Sequence, residues 1–521
     1  MAFALKPRAP RWAGQPSTFF LLLNACLLTG LLHYWVVGFD SPAPISVWVG
    51  HEQPFEQDRQ AYELPVDRDR PLLGNANAEP PAPATVGPAG TSCDACGADD
   101  ALCNKYGADV LARSRSYEGP SARFRRVLRD AKAGKPVKIS VLGGSVTRGQ
   151  GVKRDELWVN VFGEWWKSTF PNSKLTLQNG AVAATGTGYM STCFLEHIDA
   201  DADIVLTEFA INDQRTEGNA ESFEWLLRQL LDLPKQPAVL NLQTFGVGYA
   251  QLTTGGDLHT AIANYYDTPV ISMRNALLPQ LLDARGFAPA YFAKLHNGNP
   301  DFKHINNRGH RMLAELLASF AQRQLCHISH EPVPAPSADR REQDFAKQHV
   351  DLFRIPTHRL FQHFGDPPAP RLNPFCASTR TLKHPLVPEF NDGRWSNWSY
   401  AAPGGSEKKY VLASEPGAKI AFRVPVRSGG GEHEGAMGRV RVSFLQSSTF
   451  GLGIVKCWLD DDRDKAVHVD GFWKSPLNLA NTAVVSKDAS VGDHLLWCEL
   501  TGHTRDPEGR TEFRLIGVDA A

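Results

Sequence analysis

The sequence predicts an α/β domain built on a parallel sheet, followed by an all-β sandwich domain. Between residues 137 and 330, near-continuous apolar, β-rich runs alternate with helix-like segments. The runs are "VKISVLG", "KLTLQN", "ADIVLTEFA", "PAVLNLQTF" and "TPVISM"; the helical segments include "DELWVNVFGEWWKSTF" and "ESFEWLLRQLLDL". Strands that are apolar on both faces belong to a parallel sheet covered by helices on each side. From residue 376 onward the texture changes to short runs of alternating apolar and polar residues, such as "KIAFRVPV", "GRVRVSFLQ", "IVKCWLD", "HLLWCEL" and "EFRLIGV". Glycine-rich turns separate them, which is the pattern of a β-sandwich. A length of 521 residues exceeds what one hydrophobic core supports and fits two domains plus linkers.

Taken in chain order, residues 1–16 read as a cytosolic tail carrying Lys6, Arg8 and Arg11. Residues 17–39, "STFFLLLNACLLTGLLHYWVVGF", are apolar without Asp, Glu, Lys or Arg, long enough to cross a hydrocarbon core of ~30 Å as a helix. Basic residues before the span and acidic ones after it leave the rest of the chain on the far side of the membrane. The expectation is a retained type II signal anchor; the alternative is a cleaved signal peptide, against which the length of the apolar run argues. Residues 40–106 form a stem rich in Pro, Ala and Gly that ends in the cysteine cluster "TSCDACGADDALCNKYG". The α/β domain spans 107–330 and closes with the amphipathic helix "NRGHRMLAELLASFAQRQL". Residues 331–375 are a proline-punctuated linker with a candidate helix at "REQDFAKQHVDLFR", and 376–521 are the sandwich, a candidate carbohydrate-binding domain.

The net charge of −1 gives no broad argument for nucleic acid or an anionic membrane surface as a partner. Outside the apolar span there are eight cysteines, Cys93, Cys96, Cys103, Cys193, Cys326, Cys376, Cys457 and Cys498, an even set suited to disulfides in an oxidising compartment. Cys93 and Cys96 form a C-x-x-C without a second pair or a histidine pair, so local bridging is expected rather than zinc or a redox dithiol. Cys457 and Cys498 lie in two strand-like runs and are candidates for a bridge. Asn397 begins an N-x-S acceptor sequence, a glycosylation site if the domain is lumenal.

Four stretches carry chemistry. Ser145, in "VLGGSVTRG", follows an apolar strand and two glycines; a serine hydroxyl needs an adjacent base to act as a nucleophile. "DFKHINNRGH" supplies Asp301 and His304, spaced so that in a loop or first helical turn the carboxylate reaches one imidazole nitrogen. His310 is the competing base, but it falls inside the closing helix, where packing or capping is expected of it. "FAINDQ" ends another buried strand with Asn212, whose amide is a candidate oxyanion donor at the sheet edge that Ser145 occupies. "NGAVAATGTG" is rich in small residues, as a loop must be if its backbone N–H groups approach a substrate oxygen.

Together, in this order at successive strand ends, the four blocks resemble the SGNH (GDSL-type) esterases and acetylhydrolases over roughly residues 137–320. The resemblance implies a flavodoxin-like three-layer α/β/α sandwich. It further implies Ser145 as nucleophile, His304 as general base and then acid, and Asp301 as its orienter. Asn212, the Ser145 N–H and a glycine of the second block, Gly186, would form the oxyanion hole. The sequence departs from the family's pattern at three points. Gly144 stands where the family has Asp, Ala210-Ile211 replace the glycine before Asn-Asp, and Ala184 occupies the usual position of the oxyanion glycine.

The function expected is a serine esterase acting on acyl esters, O-acetyl groups above all, of a polysaccharide or glycan in the secretory pathway. No cofactor or metal is implied. A glycan O-acetyltransferase of the same fold and a non-catalytic glycan-binding membrane protein are the alternatives. In the latter, Trp395, Trp398, Trp458, Trp473 and Trp497 would stack on sugars, although tryptophans in strands are more often core.

Overall fold

The computed structural model of the protein describes Cys93 and residues 100–521, apart from 250, 284–288, 296, 331–350, 402–406, 431–434 and 476. The apolar span 17–39 lies outside the described residues, as do Cys96 and nearly all of the stem; among the described residues no helix is long and apolar enough to cross a membrane.

The first sheet consists of β1 (Arg115–Tyr117), β2 (Val137–Gly143), β3 (Leu175–Asn179), β4 (Ile204–Glu208), β5 (Ala238–Gln243) and β6 (Val270–Ser272). Its spatial order is β1-β6-β5-β4-β2-β3. β2 to β6 are parallel and β1 pairs antiparallel at the edge. The residues of the buried strands feed two layers in alternation. Ile139 and Val141 pack with helices Ala122–Lys132, Trp158–Thr169 and Asn307–His330, whereas Leu142 faces helix Glu217–Leu231 on the other side. The continuous apolar runs of the sequence follow from this double burial. From β2 the chain steps outward to β3, then returns to β4 on the opposite side of β2. Such a reversal opens a crevice at the carboxyl ends of β2 and β4, the place where open α/β sheets bind ligands.

The body begins before the expected boundary at 107. Helices Ala101–Tyr106 and Ala108–Ser114 bring Cys103 and Leu111 into the same core. Cys93 is joined to Cys326 rather than locally, because the closing helix Asn307–His330 runs long enough to present Cys326 beside it. Bonded in this way, Cys93 offers no thiolate to a metal.

The second region holds two antiparallel sheets. One joins Phe390–Asn391, Lys419–Val426, Gly492–Thr504, Gly453–Leu459 and Val467–Asp470. The other joins Ser396–Tyr400, Lys408–Ala413, Phe513–Ala520, Val440–Gln446 and Leu479–Ser486, with Phe375–Ser378 also paired to Phe513–Ala520. Ile420, Phe422 and Val455 from one sheet meet Val442, Phe444 and Leu515 from the other in a shared core. Cys457 and Cys498, directly opposite on neighbouring strands, form a disulfide.

The two regions meet along helix Thr187–Cys193. Cys193 is bonded to Cys376 at the start of the all-β region. The Tyr189 hydroxyl donates to Ser378 Oγ at 3.0 Å. Buried Arg441 donates from Nε to Asp519 at 2.7 Å and from Nη2 to Thr192 Oγ1 at 2.8 Å. The described part of the expected linker is docked as well: Ile355 and Phe361 pack on the core beneath helix Glu217–Leu231. Residues 351–354, the end of the segment read as a helix, form a turn closed by Arg354 N–H on Asp351 O.

Candidate active site

β2 ends at Gly143, and Ser145 opens the single helical turn Ser145–Arg148. The two glycines are there for space. A Cβ on Gly143 would lie 2.6 Å from Thr147 Cβ and 3.1 Å from the Glu208 carbonyl, and a Cβ on Gly144 would lie 2.2 Å from Asn212 Nδ2. Gly144 lies outside the left-handed region, at φ −90°, and it is the neighbouring amide that leaves no room for a side chain here.

Asp301 and His304 sit on a strand rather than in a loop or a first helical turn. β7 (Phe292–Lys294) and β8 (Pro300–Ile305) form a short antiparallel hairpin. In a regular strand, residues three apart point to opposite faces. The ladder is irregular here: Ala293 pairs with Asp301 while the adjacent Phe292 pairs with Ile305, so Phe302, Lys303 and His304 bulge between them. A bulge re-aims side chains, and this one turns His304 back over Asp301. His304 Nδ1 is 2.6 Å from Asp301 Oδ2, and Nε2 is 2.8 Å from Ser145 Oγ. Burial pushes the Asp301 carboxyl up, but the hydrogen bond and charge of His304, with the Lys303 backbone N–H, outweigh it and hold the group below its ordinary range. An ionised Asp301 accepts from Nδ1–H, which leaves Nε2 as acceptor for the serine hydroxyl. Ser145, His304 and Asp301 are thus one hydrogen-bonded chain.

His310 is in the closing helix and fully buried. Its Nδ1 accepts from the Trp158 backbone N–H at 3.4 Å, and burial, helped by His304, pushes its pKa down to about 3. It is a packed, neutral ring.

Asn212 and Asp213 follow β4 and strap the small-residue loop between them. Asn212 Nδ2 donates to the Thr185 carbonyl at 2.6 Å, using one of its two amide hydrogens. Asp213 Oδ1 accepts from the Thr187 backbone N–H at 2.8 Å, Oδ2 takes the Thr187 hydroxyl, and His259 Nε2 holds it at 2.9 Å. Gly186 lies under this carboxylate, where a Cβ would come within 2.1 Å of Oδ1. Ala184 takes the left-handed conformation, φ +64°, at the place where the SGNH pattern has glycine. Its carbonyl accepts from the Ala480 N–H of the all-β region at 2.8 Å.

Sequence reasoning missed Glu208 at the end of β4. It is fully buried and accepts from the hydroxyls of Thr147 at 2.9 Å and Thr244 at 2.6 Å, so it holds the turn that carries Ser145. Burial raises its pKa to about 7, against the pull of those two hydrogen bonds. The signal was available: Glu208, an acid at the far end of the apolar run that follows Asp203 in "ADIVLTEFA", must be buried and therefore partnered. Of the tryptophans weighed for sugar stacking, Trp395 and Trp458 are buried, and half-buried Trp398 lies under the Arg514 guanidinium at 4.0 Å. Asn397 is exposed on strand Ser396–Tyr400.

No protein-family model matches this sequence, and neither does any curated protein. Among solved structures, the chain is similar to a two-domain esterase (CEX) active on acetylated mannans. The form co-crystallized with mannopentaose is 20% identical, with TM-score 0.54, and the match covers 79% of this chain and 98% of that one. A second structure of that esterase is 21% identical, with the same TM-score and coverage. At this identity the likeness is one of fold: an α/β sheet region followed by an all-β antiparallel region, joined in a two-domain chain.

Proposed function

We propose that this protein is an SGNH-type serine esterase that removes O-acetyl groups from a glycan. The observation that carries the proposal is the hydrogen-bonded chain Ser145–His304–Asp301 at the sheet edge where β2 and β4 end. Ser145 Oγ attacks the acetyl carbonyl as His304 Nε2 takes its proton, and Asp301 stabilises the imidazolium that forms. The second amide hydrogen of Asn212 and the N–H groups of Ser145 and Gly186 receive the oxyanion. The left-handed turn at Ala184 shapes the loop between these donors. Collapse of the tetrahedral adduct expels the sugar oxygen, which takes the proton from His304. A water activated by the same imidazole then cleaves the acetyl-serine, releasing acetate and restoring the hydroxyl.

A glycan is proposed as the substrate because the all-β region reaches the loop that follows β3, and because the similar two-domain esterase acts on acetylated mannans. We assign the chain to the secretory pathway, held by the 17–39 segment with Asn397 glycosylated. The disulfides Cys93–Cys326, Cys193–Cys376 and Cys457–Cys498 support an oxidising compartment.

The test compares wild type with Ser145→Ala on p-nitrophenyl acetate and on acetylated mannan and xylan, reading acetate release. Ser145→Ala is expected to lose at least about a thousandfold in kcat. Equal rates, or no turnover by the wild type on any of these esters, would overturn the proposal. Acetyl transfer to an added sugar acceptor without net hydrolysis would instead make the enzyme a transferase.

A further inference from the structure

One turn beyond Ser145, a cleft of about 480 Å³ opens at the seam between the two regions. Arg148 and the loop 179–183 form one wall, and residues 379–383 and 407–409 of the all-β region form the other. Five cationic side chains line it, Arg148, Arg380, Lys383, Lys408 and Lys409, against two carboxylates, Glu196 and Glu407. Both carboxylates are engaged already. Glu196 holds His384 at 2.8 Å and Thr381 at 3.2 Å, and Glu407 lies 3.7 Å from Lys409. Lys383 is turned to the Leu195 carbonyl at 2.8 Å.

The other three cations have no carboxylate partner among the described residues. Arg380 lies over the Tyr410 ring at 4.6 Å, and its buried Nε has no hydrogen-bond partner there. Lys408 is half-buried beside it, and burial followed by the Arg380 charge holds its amine below the ordinary range. His197, in the opposite wall, is pushed down to about 4 by burial, with Lys383 and Arg148 adding to the effect, so it supplies no compensating charge at neutral pH. Gathering like charges without partners in a partly desolvated hollow costs stability. A fixed guanidinium with ammonium groups beside it is the arrangement that receives a planar or tetrahedral oxyanion.

We propose that this cleft binds an anionic sugar of the substrate glycan, a uronate carboxylate or a sulfate ester, next to the acetylated residue. The assignment rests on the glycan-esterase reading above and sharpens it: the enzyme prefers an acidic polysaccharide to a neutral one. Arg380, held flat by Tyr410, offers a two-pronged contact to the anion, and Lys408 and Arg148 close on it from the two regions. The whole volume suits one or two sugar rings.

Calorimetric titration of the full chain carrying Ser145→Ala tests the proposal with three probes: trigalacturonate, a sulfated galactose trisaccharide and neutral mannotriose. One of the two acidic probes is expected to bind at least about tenfold tighter than mannotriose, and which one does so separates carboxylate from sulfate. Arg380→Gln and Lys408→Gln, each added to Ser145→Ala, are expected to remove that advantage. Arg148→Gln, at an exposed position, keeps the test decisive if Arg380→Gln does not fold. Equal affinity for charged and neutral probes, no binding of either acidic probe, or unchanged affinity in the Lys408 and Arg148 variants would overturn the proposal. Hydrolysis of p-nitrophenyl acetate by the wild type is measured in parallel. Its absence overturns the esterase reading alone, since charge-dependent binding is read without catalysis.

Discussion

Gly144 offers a sharp test of how the reaction centre is assembled. A Cβ added there would lie 2.2 Å from Asn212 Nδ2 and 2.9 Å from its Cγ, closer than side chains approach one another. The amide must retreat by about 1 Å, and Asn212 then surrenders both its bond to the Thr185 carbonyl and its proposed aim at the oxyanion. Losing one such donor costs about 10²–10³ in kcat, or about 3–4 kcal/mol of transition-state stabilisation. The fold has little to lose, because the obstructing group is the end of a side chain. Gly144→Ala is therefore expected to lower kcat on p-nitrophenyl acetate by about a hundredfold or more, with KM and melting temperature nearly unchanged. Gly144→Asp, which installs the residue of the SGNH pattern, is expected to be no better. In an Asn212→Ala background the Gly144→Ala change should cost little further, since both remove the same donor. Retention of kcat within about threefold in Gly144→Ala would mean that Asn212 contributes no oxyanion donor worth the expected penalty.

Three further outcomes follow from the geometry. His304→Ala should abolish turnover, whereas His310→Ala should keep kcat and lose about 3 kcal/mol of stability to the cavity it leaves, read by denaturant titration; the reverse pattern would mean that the base is His310. Glu208 has a folded pKa raised from 4.5 to about 7, so its contribution to stability is complete below pH 4.5 and is lost as pH rises through about 7. Stability measured against pH should therefore fall by about 3 kcal/mol more in wild type than in Glu208→Gln between pH 4.5 and 7.5, and parallel curves would contradict the buried acid. Cys193→Ser should cost about 2–5 kcal/mol and, because helix Thr187–Cys193 begins at the oxyanion loop, should reduce kcat before it unfolds the chain; unchanged stability would show that Cys193–Cys376 bears no strain of the seam.

What the sequence disclosed and what it hid divide along physical lines. β2 falls on the run "VKISVLG" because every residue but Lys138 is buried and the glycines Gly143 and Gly144 mark its end. Strand Lys419–Val426 matches "KIAFRVPV" for the complementary reason, one face inward and one outward. β1 escaped because three residues, "RSY", carry no periodicity. The hairpin of β7 and β8 escaped because a bulge leaves no trace in hydrophobic pattern, so Asp301 and His304 were assigned to the wrong element. Ser145, Asn212, Asp301 and His304 were legible as candidates from strand ends and residue chemistry. Glu208 was legible only as an acid in a buried run; its partners, and the strap from Asp213 to Thr187, were not, since each depends on which segment lies beside which. The partners of Cys93 and Cys193 were hidden for the same reason: sequence spacing says nothing about contacts between distant segments.

The hydrogen bond from the Ala480 N–H to the Ala184 carbonyl makes the proposed reaction centre joint property of two remote stretches of chain. It bears on how a two-region chain of this kind evolves. A sandwich acquired by recombination would bring its own outline to the seam and leave the loop after β3 without its outer support. Innovation in substrate range is therefore expected to proceed by point changes along the junction, not by exchange of whole modules. A chimera with a foreign sandwich of the same topology should fold both halves and turn over slowly, and replacing its seam residues with those of this chain should restore the rate.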